Sequence, residues 1–174
     1  MAIILGIDPG SRITGYGLIR ALPNNKHQFL ACGCIRIEKE NLGNKLKNIH
    51  LGIAELVQKY CPQEAAFEQV FFHENPGTAL KLGQARGAAI AAAAIHEVEI
   101  FEYTARQVKK AVVGYGAAKK EQTQHMVKTL LNLNAIPQED AADALAIALC
   151  HAYTRQGLKN LGGVVEKMRY GRMR

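Results

Sequence analysis

Four carboxylates in this sequence stand in apolar company, where an acidic side chain is costly and its presence asks for a reason. Asp8 ends the run Ala2-Ile3-Ile4-Leu5-Gly6-Ile7 and precedes the turn Pro9-Gly10-Ser11. Strand alternation puts it on the face of Ile4 and Gly6, at the carboxyl edge of a central strand. A turn Asp bonding the backbone of residues 9–11 is the plainer reading. Glu68 lies in Ala65-Ala66-Phe67-Glu68-Gln69-Val70-Phe71-Phe72, on the face of Ala66, Val70 and Phe72. A charge there is expensive unless a cation or strong donor meets it, and a buried Arg is the simplest partner. Asp140 and Asp143 are three apart on a helical pattern, so they share a face with Cβ atoms about 5–6 Å apart. Acids just after Pro137 suit the positive end of a helix, which accounts for Glu139 and Asp140. Asp143, a turn deeper among Ala and Leu, has no such excuse. Taken together, three separate segments bring carboxylates to strand ends and a helix start. Oxygen donors of this kind suit hard cations such as Mg²⁺ or Mn²⁺. Two such ions about 4 Å apart clamp a phosphodiester, one activating water and the other stabilising the leaving 3′ oxygen. The chemistry expected is metal-dependent phosphodiester hydrolysis.

The basic and aromatic residues fit an anionic substrate. Lys109, Lys110, Lys119 and Lys120 flank the loop Gly114-Tyr115-Gly116-Ala117, which could form a phosphate-contacting rim or simply a solvated face. Phe71 and Phe72 are adjacent on a strand and point opposite ways, so the core needs at most one of them. The other could stack on an unpaired base.

These groups must be held by elements that the patterning outlines. Ala2 to Ile7, Ile13 to Arg20 and Gln28 to Ile37 read as an antiparallel meander, with Pro23-Asn24-Asn25 a turn. Leu42, Leu46, Ile49, Ile53, Leu56 and Val57 recur at helical spacing, ending before Pro62. Ala65 to Phe72 is a fourth strand. Asn75-Pro76 then caps a small-residue helix to about His96, whose Gly83 and Gly87 permit close packing on the core or on a second copy. Val98 to Tyr103 is a fifth strand, and Thr104 caps a helix to about Val113. Helices at Lys119 to Leu131 and Pro137 to about Tyr153 complete the order βββαβαβααα. That is an α/β domain with a mixed five-stranded sheet flanked by helices.

The chain has 174 residues, 48% of them apolar and 21% charged, which suits one well-packed domain and excludes intrinsic disorder. We place that domain at residues 1–154, with 155–174 a basic, loosely ordered tail carrying Arg155, Lys159, Lys167, Arg169, Arg172 and Arg174. The net charge of +7 favours a nucleic-acid partner. The longest apolar run, Gly87 to Ile95, is too short to cross a membrane, and the opening residues lack a signal-peptide pattern, so a cytoplasmic protein is expected. Cys32, Cys34, Cys61 and Cys150 have no zinc spacing and read as reduced, largely buried thiols.

Several stretches resemble the RuvC family of bacterial Holliday-junction resolvases, within the ribonuclease H-like superfamily. They are Ile4-Leu5-Gly6-Ile7-Asp8-Pro9-Gly10-Ser11-Arg12 with Thr14-Gly15-Tyr16-Gly17, Phe67-Glu68-Gln69-Val70-Phe71, and Ala79-Leu80-Lys81-Leu82-Gly83-Gln84-Ala85-Arg86-Gly87. Ala105-Arg106-Gln107-Val108-Lys109 and Asp140-Ala141-Ala142-Asp143-Ala144 continue the likeness in the same order. The resemblance implies a ribonuclease H-like fold and a homodimer that binds a four-way DNA junction. It further implies two opposed, symmetric nicks leaving 5′-phosphate and 3′-hydroxyl ends, and cooperation with a RuvA–RuvB branch-migration complex. It puts catalysis and metal binding on Asp8, Glu68, Asp140 and Asp143. On the same basis, Phe71 is the base-stacking aromatic, with Phe72 the other candidate, and Lys109 and Lys120 are functional lysines. Lys119, Arg12, Gln84 and Arg86, in or beside the matching stretches, join them as expected DNA contacts.

Three other readings remain at this point. Asp8-x-Gly10 followed by Gly15 and Gly17 also resembles the first phosphate loop of actin/Hsp70-like phosphotransferases, although no second such loop follows. A RuvC-like ribosomal RNA-processing nuclease begins with a similar Asp-bearing strand, but the Phe67-to-Phe71 and Lys81-to-Gly87 stretches favour the resolvase. The third is a junction-binding scaffold without catalysis.

Overall fold

The computed structural model describes residues 1–37, 41–69 and 76–160. Five strands, β1 (Ala2–Asp8), β2 (Ile13–Ala21), β3 (His27–Arg36), β4 (Glu64–Glu68) and β5 (Glu99–Tyr103), form one sheet in the order β3-β2-β1-β4-β5. The first three make the expected antiparallel meander, and β4 and β5 then add in parallel beside β1. Helices α1 (Leu42–Tyr60) and α2 (Pro76–Ile95) cover one face. Helices α3 (Ala105–Val113), α4 (Lys120–Leu130) and α5 (Glu139–Asn160) cover the other. The element order is the one read from the sequence.

Alternation along the strands divides the core. Leu5, Ile7, Leu18, Ala65 and Phe67 pack towards α1 and α2, whereas Ile4, Ile19 and Ala66 pack towards α5. Helix α5 lies unusually close to the sheet, because glycines line its path. A Cβ at Gly6 would lie 2.0 Å from the Ala144 carbonyl oxygen, and one at Gly17 would lie 2.7 Å from the Leu145 side chain. Local signals fix several ends. Thr104 caps α3 through a reciprocal box with Gln107, and Cys61, in the left-handed region at φ 47°, closes α1 ahead of Pro62.

Three expectations change. Strand β4 stops at Glu68 rather than Phe72, and Phe71, Phe72 and the Asn75 cap lie outside the described residues. Helix α5 continues past Tyr153 to Asn160, because Arg155 is not a loose tail residue: its Nε lies 2.8 Å from Glu64 Oε1 at the start of β4. Residues 161–174 lie outside the description. Of the four free cysteines only Cys150 is buried; Cys61 is exposed at its cap, and Cys32 and Cys34 are half-covered on β3. No described helix is long and apolar enough to cross a membrane.

Candidate active site

Asp8 and Glu68 close neighbouring parallel strands on the same rung. Ile7 is paired with Phe67, so the next residue on each strand is the acid. Adjacent strands run about 4.8 Å apart, and both acids fall on the face that α5 covers. Asp8 is also paired with Gly15 on β2. That glycine matters, because a Cβ there would lie 2.0 Å from the Asp140 carbonyl oxygen. The bare backbone lets the first turn of α5 settle over the end of β1, which delivers Asp140 and, one turn on, Asp143 to the same sheet edge.

The electrostatics record how crowded this edge is. Burial, then the charges of Asp143, Glu68 and Asp140, push the Asp8 carboxyl up to about 7, against a small opposing effect from Lys120. Burial and Asp143 likewise raise Glu68, although Lys109 and Lys120 pull it back. Asp143 is raised too, by burial first, despite its hydrogen bond to Lys120. Three acids that resist ionisation beside one another make a site in want of positive charge.

Lys120 supplies part of it. Its Nζ lies 3.0 Å from Asp143 Oδ2 and 2.5 Å from Glu139 Oε1. Partial burial works against its charge, but the two carboxylates more than compensate and hold the ammonium above its ordinary value. Glu68, Lys109, Lys120 and Asp143 together line a cleft of about 230 Å³, floored by Val108 and Ala146. Among the described residues no three acidic, imidazole or thiol groups converge on a single point. The donor set nevertheless fits a hard divalent cation. It offers carboxylate oxygens only, on rigid strand and helix ends, and their mutual repulsion is what such a cation relieves.

The remaining expected contacts divide. Arg12 is exposed in the turn after β1, on the same edge as Asp8, and Lys119 is exposed at the start of α4. Gln84 is half-buried on α2. Arg86, expected to meet DNA, is turned inward: it pairs with Glu102 of β5, and its Nε donates to the Glu68 carbonyl at 3.3 Å. A half-buried guanidinium with two such acceptors braces the end of β4 rather than reaching a phosphate. It is also not the cation for the Glu68 carboxylate, since it bonds that residue's backbone. Lys120, read from sequence as part of an outer rim, is exposed there and in addition pairs with Glu139 and Asp143. The sequence reading missed Glu139 as a partner for that lysine, having attributed it to the helix N-terminus alone.

Residues 4–151 match the family described as crossover junction endodeoxyribonuclease RuvC. A protein of that name from Tolumonas auensis is 58% identical over 174 residues, covering all of both chains. Another, from Legionella pneumophila, is 57% identical over 164 residues, 94% of each chain. Among solved structures, T. thermophilus RuvC in complex with Holliday junction substrate superposes with a TM-score of 0.85 at 34% identity, covering 90% of this chain and 97% of that one. The yeast mitochondrial Holliday junction resolvase Ydc2 has the same fold, with a TM-score of 0.67 at 15% identity over 90% of this chain and 80% of that one. With its acids on the strand and helix ends just described, this chain belongs to the RuvC family of crossover junction endodeoxyribonucleases.

Proposed function

We propose that this protein is a structure-selective endonuclease that resolves four-way DNA junctions by paired, symmetric nicks, leaving 5′-phosphate and 3′-hydroxyl ends. The observation that carries the reading is that Asp8, Glu68, Asp140 and Asp143 lie along one sheet edge, where burial first and neighbouring acids second push three of them towards protonation. These four residues are the ones to hold Mg²⁺ or Mn²⁺, with two ions per site. When bound, the cations supply an activated water and stabilise the leaving oxygen. Asp8 and Glu68 sit on strand ends and the other two on a helix pressed against glycines, so the chain fixes its oxygen donors before substrate arrives. Lys109 and Lys120 at the cleft place positive charge where a phosphodiester must approach past the acids. Arg12 and Lys119 extend that charge along the edge, while Gln84 lies on the adjoining helix. Phe71 follows Glu68 by three residues and is the candidate for stacking on a base freed at the crossover, with Phe72 the alternative.

A homodimer is the working form in this reading. What supports it is the outer stripe of α2, where Gly83 and Gly87 face open space and Leu80 is 64% exposed. A junction with two equivalent scissile strands also calls for two equivalent sites. The junction as substrate draws on the T. thermophilus relative, solved with Holliday junction substrate. Cooperation with a RuvA–RuvB complex and work in the cytoplasm complete the proposal. Nicking of a synthetic four-way junction with Mg²⁺, against duplex, RNA and ATP-hydrolysis controls, tests it. Symmetric junction cuts are expected. Cleavage of RNA or of plain duplex at an equal rate, or none of the junction, overturns it.

A further inference from the structure

A second ordered cluster of ionisable side chains lies at the far end of α5, away from the acidic edge. His151 is 2% exposed. Its Nε2 lies 2.8 Å from Glu64 Oε2, and its Nδ1 lies 2.7 Å from the Tyr103 hydroxyl. Arg155 Nε donates to the other oxygen of Glu64 at 2.8 Å, and the Phe101 ring packs on the imidazole with centroids 4.2 Å apart. A neutral imidazole satisfies every group here. Its Nε2–H donates to the carboxylate, which leaves Nδ1 to accept from Tyr103. Burial would raise Glu64, but the bonds from His151 and Arg155 hold it below its ordinary value, so the carboxylate is a fixed anchor.

The placement of this cluster suggests its role. Along α5, His151 follows Asp143 by eight residues, about 12 Å at 1.5 Å per residue. Along β4, Glu64 precedes Glu68 by four residues, about 13 Å at roughly 3.3 Å per residue. The two elements run in opposite senses past one another. A bond between His151 and Glu64 at one end therefore brings Asp143 opposite Glu68 at the other. Tyr103 is the β5 partner of Glu68, and its carbonyl accepts from Gln69 N at 2.8 Å, so the imidazole is tied both to Glu68's own strand and to the neighbouring β5. The apolar contacts along the glycines set how near α5 lies to the sheet. A directional polar bond adds a fixed point along the helix axis.

We propose that Glu64, His151 and Tyr103 form a positioning clamp that sets the register of α5 against β4 and so fixes how Asp143 stands opposite Glu68 at the carboxylate edge. None of the three touches the reacting atoms. The inference rests on the carboxylate edge being the cation site. It locates a determinant of that site's geometry a full two helical turns away.

The test compares His151→Leu and Tyr103→Phe with Ile53→Ala, a core variant on the opposite face of the sheet, each at a temperature where urea titration shows it folded. Two quantities are read: the Mg²⁺ concentration for half-maximal junction nicking, and the Mn²⁺ affinity of the free protein by calorimetry. Residues that orient metal-binding groups typically alter metal affinity by about 10–100-fold when removed. About tenfold weaker Mn²⁺ binding, and a matching rise in the Mg²⁺ requirement, is expected for both clamp variants, with junction affinity in chelator unchanged. His151→Gln, which keeps a donor towards Glu64, should recover most of the loss. An unchanged Mn²⁺ affinity in Tyr103→Phe, or an equal loss in Ile53→Ala, overturns the clamp. Should His151→Leu fail to fold, Tyr103→Phe decides, since it removes only a hydroxyl. Wild-type protein that binds Mn²⁺ but cuts no junction overturns the proposed function and leaves the clamp to be judged on the binding data.

Discussion

Replacing Asp8 by Asn removes one charge and almost no volume, and so isolates what the crowding of acids costs the fold. In the folded chain the Asp8 carboxyl is raised from 3.8 to about 7 by burial and by Asp143, Glu68 and Asp140. At 1.36 kcal/mol per unit that difference is at most about 4 kcal/mol of destabilisation once the group is ionised. The sign follows from proton binding. The native state holds this proton more tightly than the unfolded chain does. Asp8's contribution to the stability of the metal-free protein therefore falls as pH rises from about 4 to about 7 and levels off above that.

Asp8→Asn should be more stable than wild type in chelator at pH 8 and should lose the advantage near pH 4. Urea unfolding in EDTA across that range measures it, and each kcal/mol corresponds to about 2–4 °C in Tm for a chain of this size. Adding Mg²⁺ should then stabilise wild type, because a ligand bound only by the native state raises its stability, and should do far less for the variant. The same variant should bind junctions as well as wild type but leave them uncut. Equal urea midpoints for the two proteins at pH 8 in chelator would refute the reasoning, as would a wild type indifferent to Mg²⁺. The first would mean that Asp8 is not held among uncompensated charges, and the second that Mg²⁺ does not relieve them.

Three further outcomes are expected. Gly15→Ala puts a Cβ 2.0 Å from the Asp140 carbonyl oxygen, so α5 must lift from the sheet edge; overpacking of this kind costs about 1–3 kcal/mol. Nicking should fall more than stability does, and activity near wild type would show that the contact does not place Asp140. Junction affinity should fall steeply with salt, with Lys109→Ala and Lys120→Ala each reducing the logarithmic slope by about 1; binding that ignores salt counts against phosphate contacts in this cleft. Phe71→Ala should bind junctions nearly normally but cut them slowly, since stacking contributes about 1–3 kcal/mol per base, and unpaired bases beside the crossover should restore the rate. Full-speed cutting of ordinary junctions by Phe71→Ala shifts the stacking role to Phe72.

What could be read from sequence and what could not divides along the range of the interactions involved. Strand alternation alone put Asp8 with Ile4 and Glu68 with Ala66, and both pairs do face α5. That works because a period of two leaves no other choice of face once one side is buried. Asp143 was singled out because a helix N-terminus explains acids only within its first turn. No periodicity says, however, that β4 lies beside β1, so the shared rung of Asp8 and Glu68 could not be read. The same holds for partners distant in the chain. Arg86 looks like any basic helix residue until Glu102 and the end of β4 are folded against it. Lys120 looks like a solvated rim until α4 packs on α5 and lays it across Asp143.

Helix α5 shows the consequence most plainly. Its apolar pattern fades after Tyr153, and local reading ends it there. Glu64, 87 positions before His151, carries it on, because one half-buried carboxylate binds both His151 and Arg155 from the helix's later turns. The acids at the other end of α5 are aligned by that same helix. In the clamp proposed above, a carboxylate edge that local sequence made conspicuous takes its geometry from a polar anchor that local sequence leaves unmarked. Substitutions at Glu64, His151 or Tyr103 are accordingly expected to alter cation binding at the carboxylate edge, although none of them lies in it.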